Sequence, residues 1–260
     1  MEENKLQKIF VADIGNSYSK IAIIDNKLNV IEKMYFRTQK KIDEKVLQKK
    51  FLKLKKNHKL SGSIIGSVIS GHANIFFKVA KRAFGIDSYL MNENTKLSFT
   101  LKKIERNIVG QDILALAEFC SSKNKNSIGF SFGTAIFAIL LQNNNLEGAA
   151  ISAGLGLSFL NLSSRIEAIK DKKLDLKKKY FFGNDTISAL ESGINNLRTG
   201  YVSSFYENAI KLIPNKKIYC VICGGEAATV SINHEYEINV NAVLIGYALI
   251  FFKNNRIRRP

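Results

Sequence analysis

Tryptophan is absent from this sequence of 260 residues, and proline and cysteine are rare, with two and three copies. Three cysteines without a framework spacing exclude the disulfide scaffold of a small secreted domain and fit a reducing compartment. The sequence also lacks a long apolar run, because Ala242–Phe252 is shorter than the roughly 20 residues of a membrane-spanning helix. The charged segment Met1–Gln7 does not resemble a secretory signal. We therefore expect a cytoplasmic protein without a membrane partner.

Acidic residues are also scarce, since 22 Asp and Glu oppose 39 Lys and Arg and leave a net charge of +17. Clustered positive charge is typical of proteins that bind nucleic acid. Here the lysines concentrate in residues 40–59 and 170–179, where they mix with leucine, and the others are scattered among Asn and Ile. Such a composition is what an AT-rich genome encodes, so we do not expect a nucleic-acid partner. A basic nucleic-acid-associated factor stays open as the interpretation that charge alone favours.

Apolar residues make up 46% of the chain, enough for the core of one or two domains. Apolar runs and turn residues predict three antiparallel strands between Phe10 and Phe36, then helix, strand, helix and strand. After the polar connector 121–127, the pattern of strand, glycine turn, strand, turn and strand recurs. This internal repeat predicts a duplicated fold, with one domain over residues 1–120 and a second over residues 121–260. In the second half we predict helices over residues 155–169, 184–197, 199–212 and 241–252.

In each half of the chain, one glycine turn follows the first strand. The turn Asp13-Ile-Gly-Asn-Ser17 offers a close backbone approach, two hydrogen-bonding side chains and a carboxylate that can hold Mg²⁺. Phe132-Gly-Thr-Ala135 occupies the equivalent place in the second half. A third turn, Gly224-Gly225, would let a purine ring lie against bare backbone. One such turn is commonly a plain hairpin, but three at matching positions favour nucleotide binding.

Seven motifs in this order resemble the type III pantothenate kinases, within the acetate/sugar kinase, Hsc70 and actin superfamily. They are Asp13-Ile-Gly-Asn-Ser, Ser67-Val, Gly110-Gln-Asp, Phe132-Gly-Thr-Ala, Ala150-Ile-Ser-Ala-Gly-Leu, Gly183-Asn-Asp-Thr with Ser192-Gly, and Cys223-Gly-Gly. The resemblance covers nearly the whole chain. It implies an α/β fold of two duplicated ribonuclease-H-like domains, each a mixed five-stranded sheet with flanking helices, and a cleft between them. It further implies a homodimer that uses ATP to phosphorylate pantothenate, the first step of coenzyme A synthesis.

The resemblance also implies a role for single residues. Asp112 matches the general base, which accepts the proton of the attacking hydroxyl; from spacing alone, a helix N-cap after Gly110 is an equal interpretation. Asp13 would hold Mg²⁺. The implied ATP-binding residues are Asp13, Ile14, Gly15, Asn16, Ser17, Tyr18, Ser19, Lys20, Gly133, Thr134, Gly224 and Gly225. The implied substrate-binding residues are Lys103, Gly110, Gln111, Asp112, Ile113 and, from the dimer partner, Thr186.

The chain departs from the family pattern mainly at the acceptor and cation positions. Ser131 replaces an aspartate that serves a monovalent cation, K⁺ or NH₄⁺, and Ile113 replaces an arginine that helps to hold the substrate. Lys103 and Arg106 stand where the family has Tyr and Pro, and Ala153 replaces a further Pro. A catalytically impaired nucleotide-binding or regulatory protein on the same scaffold is therefore the alternative function.

The remaining reactive and aromatic residues indicate structure rather than chemistry. Cys220 and Cys223 have the spacing of metal ligands, but they lie in an apolar strand without a second ligand pair, so we expect buried thiols. Three phenylalanine pairs lie in amphipathic or apolar runs, and we expect core or dimer contacts there rather than base stacking. The pairs are Phe76-Phe77, Phe181-Phe182 and Phe251-Phe252.

Overall fold

The computed structural model describes residues 7–102, 104–170, 172, 174–176, 178, 181–227, 230 and 232–255. The chain forms two units. The first comprises the residues up to Ser122 together with the segment from Asn241 onward, and the second is Lys123–Val240. The boundary after the first unit lies close to the predicted one. The last segment, which the sequence assigned to the second domain, groups instead with the first unit.

The first unit is a five-stranded mixed sheet with helices packed on it. The sheet order is β3-β2-β1-β4-β5. Strands β1, β2 and β3 pair antiparallel, as the sequence predicts, whereas β4 pairs parallel to β1 and β5 parallel to β4. The elements are β1 (Lys8–Ile14), β2 (Tyr18–Asp25), β3 (Val30–Arg37), α1 (Glu44–Lys55), β4 (Gly62–Ser67), α2 (His72–Phe84), β5 (Ser88–Leu90), a 3₁₀ turn (Arg106–Ile108) and α3 (Gln111–Lys123).

The second unit repeats this topology. Its sheet order is β10-β9-β6-β7-β8, with β6, β7 and β8 antiparallel and β9 and β10 added in parallel. The predicted duplication is thus present, strand for strand. The elements are β6 (Ser127–Phe132), β7 (Ala135–Gln142), β8 (Asn145–Ala153), α4 (Leu155–Ser163), a 3₁₀ turn (Glu167–Ile169), α5 (Thr186–Leu212), β9 (Tyr219–Gly224) and β10 (Glu237–Ile238).

Three elements of the second unit differ from the prediction. The two helices expected over residues 184–197 and 199–212 are one helix, α5, because a glycine such as Gly200 costs only about 1 kcal/mol inside a helix. Asp185 caps this helix by accepting from the backbone N–H groups of Ile187 and Ser188. Helix α4 ends at Ser163, six residues earlier than expected, and the two-residue strand β10 was missed.

The apolar run near the C-terminus forms the last helix, α6 (Ala242–Asn254), in which every residue from Ala242 to Phe252 is buried. It packs on β1, β2 and β4. A Cβ atom added at Gly246 would overlap the carbonyl oxygen of Ala115, so α6 and α3 cross in direct contact. The run is therefore the core helix of the first unit, and this packing explains why the C-terminal segment belongs to that unit. Within the described residues, no helix has the length and apolarity that crossing a bilayer requires.

The close crossing of α3 and α6 predicts a large effect of a single methyl group. Gly246→Ala should lower the free energy of unfolding by about 1–3 kcal/mol, because the methyl group overpacks a backbone contact. Gly200→Ala is the matched control, since a Cβ atom there meets nothing within 4 Å. It should leave stability unchanged or raise it by up to about 1 kcal/mol. Urea unfolding of both variants checks this prediction. Equal changes in the free energy of unfolding would contradict the close contact between α3 and α6.

Candidate active site

Asp13 lies near the end of the central strand β1 and is almost fully buried. It pairs with Lys20 on β2 and with Gly66 on β4, so both neighbouring strands shield it from solvent. Lys20 Nζ lies 3.5 Å from Asp13 Oδ2. The sheet therefore holds a carboxylate inside the first unit with one ammonium group beside it.

One backbone and one side-chain hydrogen bond hold the turn after β1. The Gly15 N–H donates to the carbonyl of Tyr18 at 3.1 Å, and Thr38 Oγ1 donates to the carbonyl of Gly15 at 2.8 Å. Ile14 and Ser19 are buried, whereas Asn16 and Tyr18 are exposed. The exposed positions of the predicted phosphate-binding segment are thus the tip of the turn, and its buried positions anchor the turn in the sheet.

Asp112 lies in the first turn of α3, where it is adjacent in space to Asp13. Burial, together with the negative charge of Asp13, raises the pKa of the Asp112 carboxyl from 3.8 to about 6. Backbone N–H groups, including that of Ile113 at 2.9 Å, and the charge of Lys20 act in the opposite direction. Helix α3 begins at Gln111, so Asp112 stands inside the helix and not at the N-cap. A carboxyl group that titrates near neutral pH can accept a proton.

A cavity of about 650 Å³ opens beside the N-terminus of α3 in the first unit. Its walls are the end of β4, residues 91–94 and the segment Arg106–Gln111. Gln111 fixes one wall, because its Oε1 accepts from the Ser67 N–H at 2.9 Å. The cavity thus begins one residue from Asp112.

The cavity includes some predicted substrate-binding residues and leaves out others. Gly110 and Gln111 line it, and so does Arg106, whose guanidinium pKa is lowered by burial. Ile113 is not among the lining residues, because its side chain is buried in α3. Lys103 lies outside the described residues.

The glycine turns of the second unit lie at one end of its sheet, because Phe132 of β6 pairs with Gly224 of β9. Gly224 has a φ of +95°, and a Cβ atom there would overlap the backbone of Phe132. Gly133 and Thr134 form the turn into β7, and the Thr134 carbonyl accepts from the N–H of Gly154 at 2.9 Å. The bare backbone expected for nucleotide contact is therefore present at this end of the sheet.

The sequence analysis missed a charged pair in the second unit, the buried Arg198 and the half-buried Glu226. Arg198 on α5 is 1% exposed, and its guanidinium nitrogens have no hydrogen-bond partner among the described residues. Glu226 directly follows the Gly224-Gly225 turn. Burial raises the pKa of Glu226, while the charge of Arg198 and the N–H of Gly156 lower it. An arginine in a polar stretch of helix is usually exposed, so no local sequence pattern indicates this pair.

A third missed residue, Tyr247, lies in the first unit. Its side chain on α6 is completely buried, and its hydroxyl faces the carboxylate of Asp13. Its ring packs on Gly66, where a Cβ atom would overlap it. Burial raises the pKa of Tyr247 well above its ordinary value, and the charges of Asp13 and Asp112 add to the effect. In the sequence this tyrosine lies inside an apolar run, so no local pattern marks it as a candidate residue.

The surroundings of the other candidate residues indicate structural roles. Thr186 is exposed at the start of α5 in the second unit, directly after the capping Asp185. Cys220 and Cys223 are buried in β9 as expected, and burial raises the pKa of Cys220 to about 12. No group of three or more His, Cys, Asp and Glu side chains among the described residues could hold a metal ion without further ligands.

Comparison with known proteins adds a family. A sequence model described as type III pantothenate kinase matches residues 9–208. A curated relative of that name from Malacoplasma penetrans is 43% identical over 255 residues, covering 97% of this chain and 100% of the relative. Another from Mycoplasmopsis synoviae is 33% identical over 258 residues, covering 98% and 100%.

Solved structures resemble the fold at low sequence identity. A structure titled as a putative Baf family transcriptional activator from Campylobacter jejuni gives a TM-score of 0.58 at 16% identity, covering 95% of this chain and 100% of that chain. A ROK hexokinase from Thermus thermophilus gives 0.51 at 14% identity, with 95% and 99% covered. At these identities the likeness shows the fold alone, and it confirms two ribonuclease-H-like units with mixed five-stranded sheets.

The raised pKa of Asp112 predicts that its charge destabilises the fold. For an acid with a raised folded-state pKa, stability is full below the ordinary pKa of 3.8 and is lost as the pH rises to about 6. Asp112→Asn should therefore raise the free energy of unfolding at pH 8 by about 1–3 kcal/mol and leave it nearly unchanged at pH 4. Asp87→Asn, at an exposed aspartate, is the control without this pH dependence. Denaturant unfolding at both pH values checks this, and a pH-independent effect of Asp112→Asn would contradict it.

Proposed function

The chain belongs to the type III pantothenate kinase family, and we propose that it transfers the γ-phosphoryl group of ATP to pantothenate, giving 4′-phosphopantothenate in the first step of coenzyme A synthesis. The observation that carries this proposal is the half-buried Asp112 next to the buried Asp13, close in sequence to residues that line the 650 Å³ cavity. The curated relatives, which match over nearly their whole length, support the same reaction. No observation favours the impaired or regulatory alternative.

Asp112 is the proposed general base. Phosphoryl transfer requires the acceptor hydroxyl to lose its proton as the new P–O bond forms. With a pKa of about 6, the Asp112 carboxyl is largely ionised at pH 7.5 and basic enough to take that proton. Asp112 is not itself a lining residue, but it directly follows Gln111, which lines the cavity, so an acceptor bound there would lie close to it.

Asp13 and the turn that follows it are the proposed site for Mg²⁺ and the phosphates of ATP. A carboxylate oxygen is the ligand type that Mg²⁺ prefers, and the ion usually completes its shell with water and phosphate oxygens. Bound Mg²⁺ would neutralise charge on the phosphates. Asp13 would hold the ion, Lys20 would keep the Asp13 carboxylate in place, and residues 14–19 would supply backbone N–H groups and hydroxyls.

The second unit supplies the other proposed ATP contacts. Gly133, Thr134, Gly224 and Gly225 present backbone and one hydroxyl at the same end of the sheet. Ser131 lies at the position equivalent to Asp13, near the end of β6, and carries no charge. We therefore propose that the enzyme depends on Mg²⁺ and only weakly on K⁺ or NH₄⁺, because this position lacks a carboxylate for a monovalent cation.

Arg106 is the proposed partner of the pantothenate carboxylate. Pantothenate is an acid, and the cavity needs a cation for it that Ile113 does not supply. Arg106 lines the cavity, and no carboxylate contributes to the shift of its pKa. Its guanidinium donates to the Thr95 carbonyl and has no carboxylate partner among the described residues, so its other N–H groups suit a planar carboxylate.

A homodimer is proposed on the apolar surface of the second unit. Monomers rarely expose many large apolar side chains together, and such surfaces mark contacts with a partner. In the resemblance, Thr186 reaches pantothenate from the dimer partner, and its exposure is compatible with that role. The exposed apolar side chains include Leu157, Leu160, Phe181, Phe182 and Leu197, so Phe181-Phe182 are not core residues.

The three buried cysteine thiols suit the cytoplasmic location that we propose.

The first prediction of the kinase proposal concerns the base. Asp112→Asn should lower kcat for pantothenate by roughly two to four orders of magnitude, because it removes the proton acceptor. Its affinity for Mg·ATP, measured by calorimetry, should stay within about threefold of the parent. Asp87→Asn should retain full activity. A parent protein that binds Mg·ATP but never phosphorylates pantothenate would instead establish the regulatory alternative.

The second prediction concerns the acceptor. Arg106→Met should raise KM for pantothenate by roughly 10- to 100-fold with a smaller change in kcat, because a charge-assisted hydrogen bond contributes about 1.5–3 kcal/mol. The internal control is pantothenol, the analogue with an alcohol in place of the carboxylate. The parent should prefer pantothenate strongly, and Arg106→Met should lose that preference. An undiminished preference in the variant would assign the carboxylate to another cation.

A further inference from the structure

The guanidinium of Arg106 makes one hydrogen bond among the described residues. Its Nη2 donates to the backbone carbonyl of Thr95, and the 3₁₀ turn that carries Arg106 is only three residues long. A long arginine side chain adopts many rotamers unless a contact fixes it. The Thr95 carbonyl therefore sets the direction in which Arg106 faces the cavity.

Thr95 is itself a completely buried polar residue, although both of its neighbours in the sequence are exposed. Its Oγ1 accepts from the Tyr89 hydroxyl and from the Asn92 N–H, both at 3.0 Å. Its backbone N–H donates to the Asn92 carbonyl at 3.2 Å. The Thr95 hydroxyl thus closes the turn over residues 92–95, and the first three residues of this turn line the cavity.

The segment that follows Thr95 is fixed by two helices of the first unit. Asn254, the last residue of α6, bonds both backbone groups of Lys96: its Oδ1 accepts from the N–H at 2.7 Å, and its Nδ2 donates to the carbonyl at 2.9 Å. Glu118 of α3 accepts from the N–H and the hydroxyl of Ser98 at 2.8 and 2.6 Å. These contacts hold the backbone around Thr95 in place.

We propose that Thr95 is a positioning residue for acceptor specificity, which aims the Arg106 guanidinium at the carboxylate of the substrate in the cavity. The inference rests on the proposed function in so far as Arg106 binds that carboxylate. The Thr95 hydroxyl fixes the turn, and the turn presents the Thr95 carbonyl to one of the five N–H donors of Arg106. The other donors of the planar guanidinium then suit a bidentate anion.

Thr95→Val tests this role, because valine keeps the shape of threonine and removes the hydroxyl. The Kd of pantothenate, measured by calorimetry, should rise about 3- to 10-fold, as expected for the loss of one hydrogen bond. The Kd of pantothenol, which lacks the carboxylate, should stay within about twofold of the parent value. In turnover, KM for pantothenate should rise while kcat stays within about twofold.

Two threonine variants are the matched controls. Thr95→Ser keeps the hydroxyl and should restore the Kd of pantothenate to within about twofold of the parent value. Thr100→Val makes the same substitution at an exposed threonine that does not line the cavity, and it should leave this Kd unchanged.

Two further variants show whether Thr95 acts through Arg106. In the Arg106→Met background, Thr95→Val should have no additional effect on the Kd of pantothenate, because residues that act as one unit are not additive. Tyr89→Phe removes a donor to Thr95 Oγ1 and keeps the ring, so it should raise the Kd of pantothenate about 2- to 5-fold. It decides the question if Thr95→Val does not fold.

The outcomes are distinct. An equal rise in Kd for pantothenate and pantothenol would make Thr95 a part of the cavity wall only, and an additive effect in the Arg106→Met background would exclude action through Arg106. Either result overturns the inference, as does an unchanged Kd of pantothenate in both Thr95→Val and Tyr89→Phe. A parent protein that binds pantothenate without phosphorylating it overturns the proposed function, while calorimetry still decides the role of Thr95.

Discussion

The proposed chemistry of this protein depends on a carboxylate that is held where burial opposes its charge. Asp112 lies in the first turn of α3, near Asp13, and its pKa rises to about 6. Only the backbone N–H groups of the helix and the ammonium of Lys20 act against that rise. This balance keeps Asp112 ionised at neutral pH and still basic, as a general base must be. A fully solvated aspartate, with its ordinary pKa of 3.8, would be a weaker base.

The sheet topology explains why the two carboxylates meet. β1 is the central strand, with β2 antiparallel on one side and β4 parallel on the other, so Asp13 near its end is shielded on both sides. Helix α6 covers β1 and β4 and crosses α3 in direct contact at Gly246. The last helix of the chain thereby completes the site of the first unit, and it brings Tyr247 to both carboxylates.

The second unit repeats the topology but not the charges. Ser131 of β6 occupies the position that Asp13 has in β1, and the glycines at 133 and 224 leave bare backbone at the end of the sheet. The charged pair of this unit, the buried Arg198 and the half-buried Glu226, comes instead from α5 and from the residue after the Gly224-Gly225 turn. Duplication thus preserved the strands, whose pairing depends on backbone, while the side chains of the two halves diverged. The first unit therefore presents a carboxylate at the end of its β1 strand, and the second unit presents bare glycine backbone at the equivalent end of its sheet.

The sequence by itself determined the strand pattern, the duplication and most of the candidate residues, because these follow from local apolar periodicity and from turns that require glycine. It predicted Asp13 and Asp112 individually, and it predicted α6 as a helix. Only the tertiary structure decided that α6 belongs to the first unit, that Arg106 and not Ile113 faces the cavity, and that Tyr247 lies with the carboxylates. These facts depend on contacts between residues far apart in sequence, such as Gly66 with Tyr247. A pKa near 6 likewise arises from burial and from a neighbouring charge, and neither is a property of the aspartate or of its local sequence.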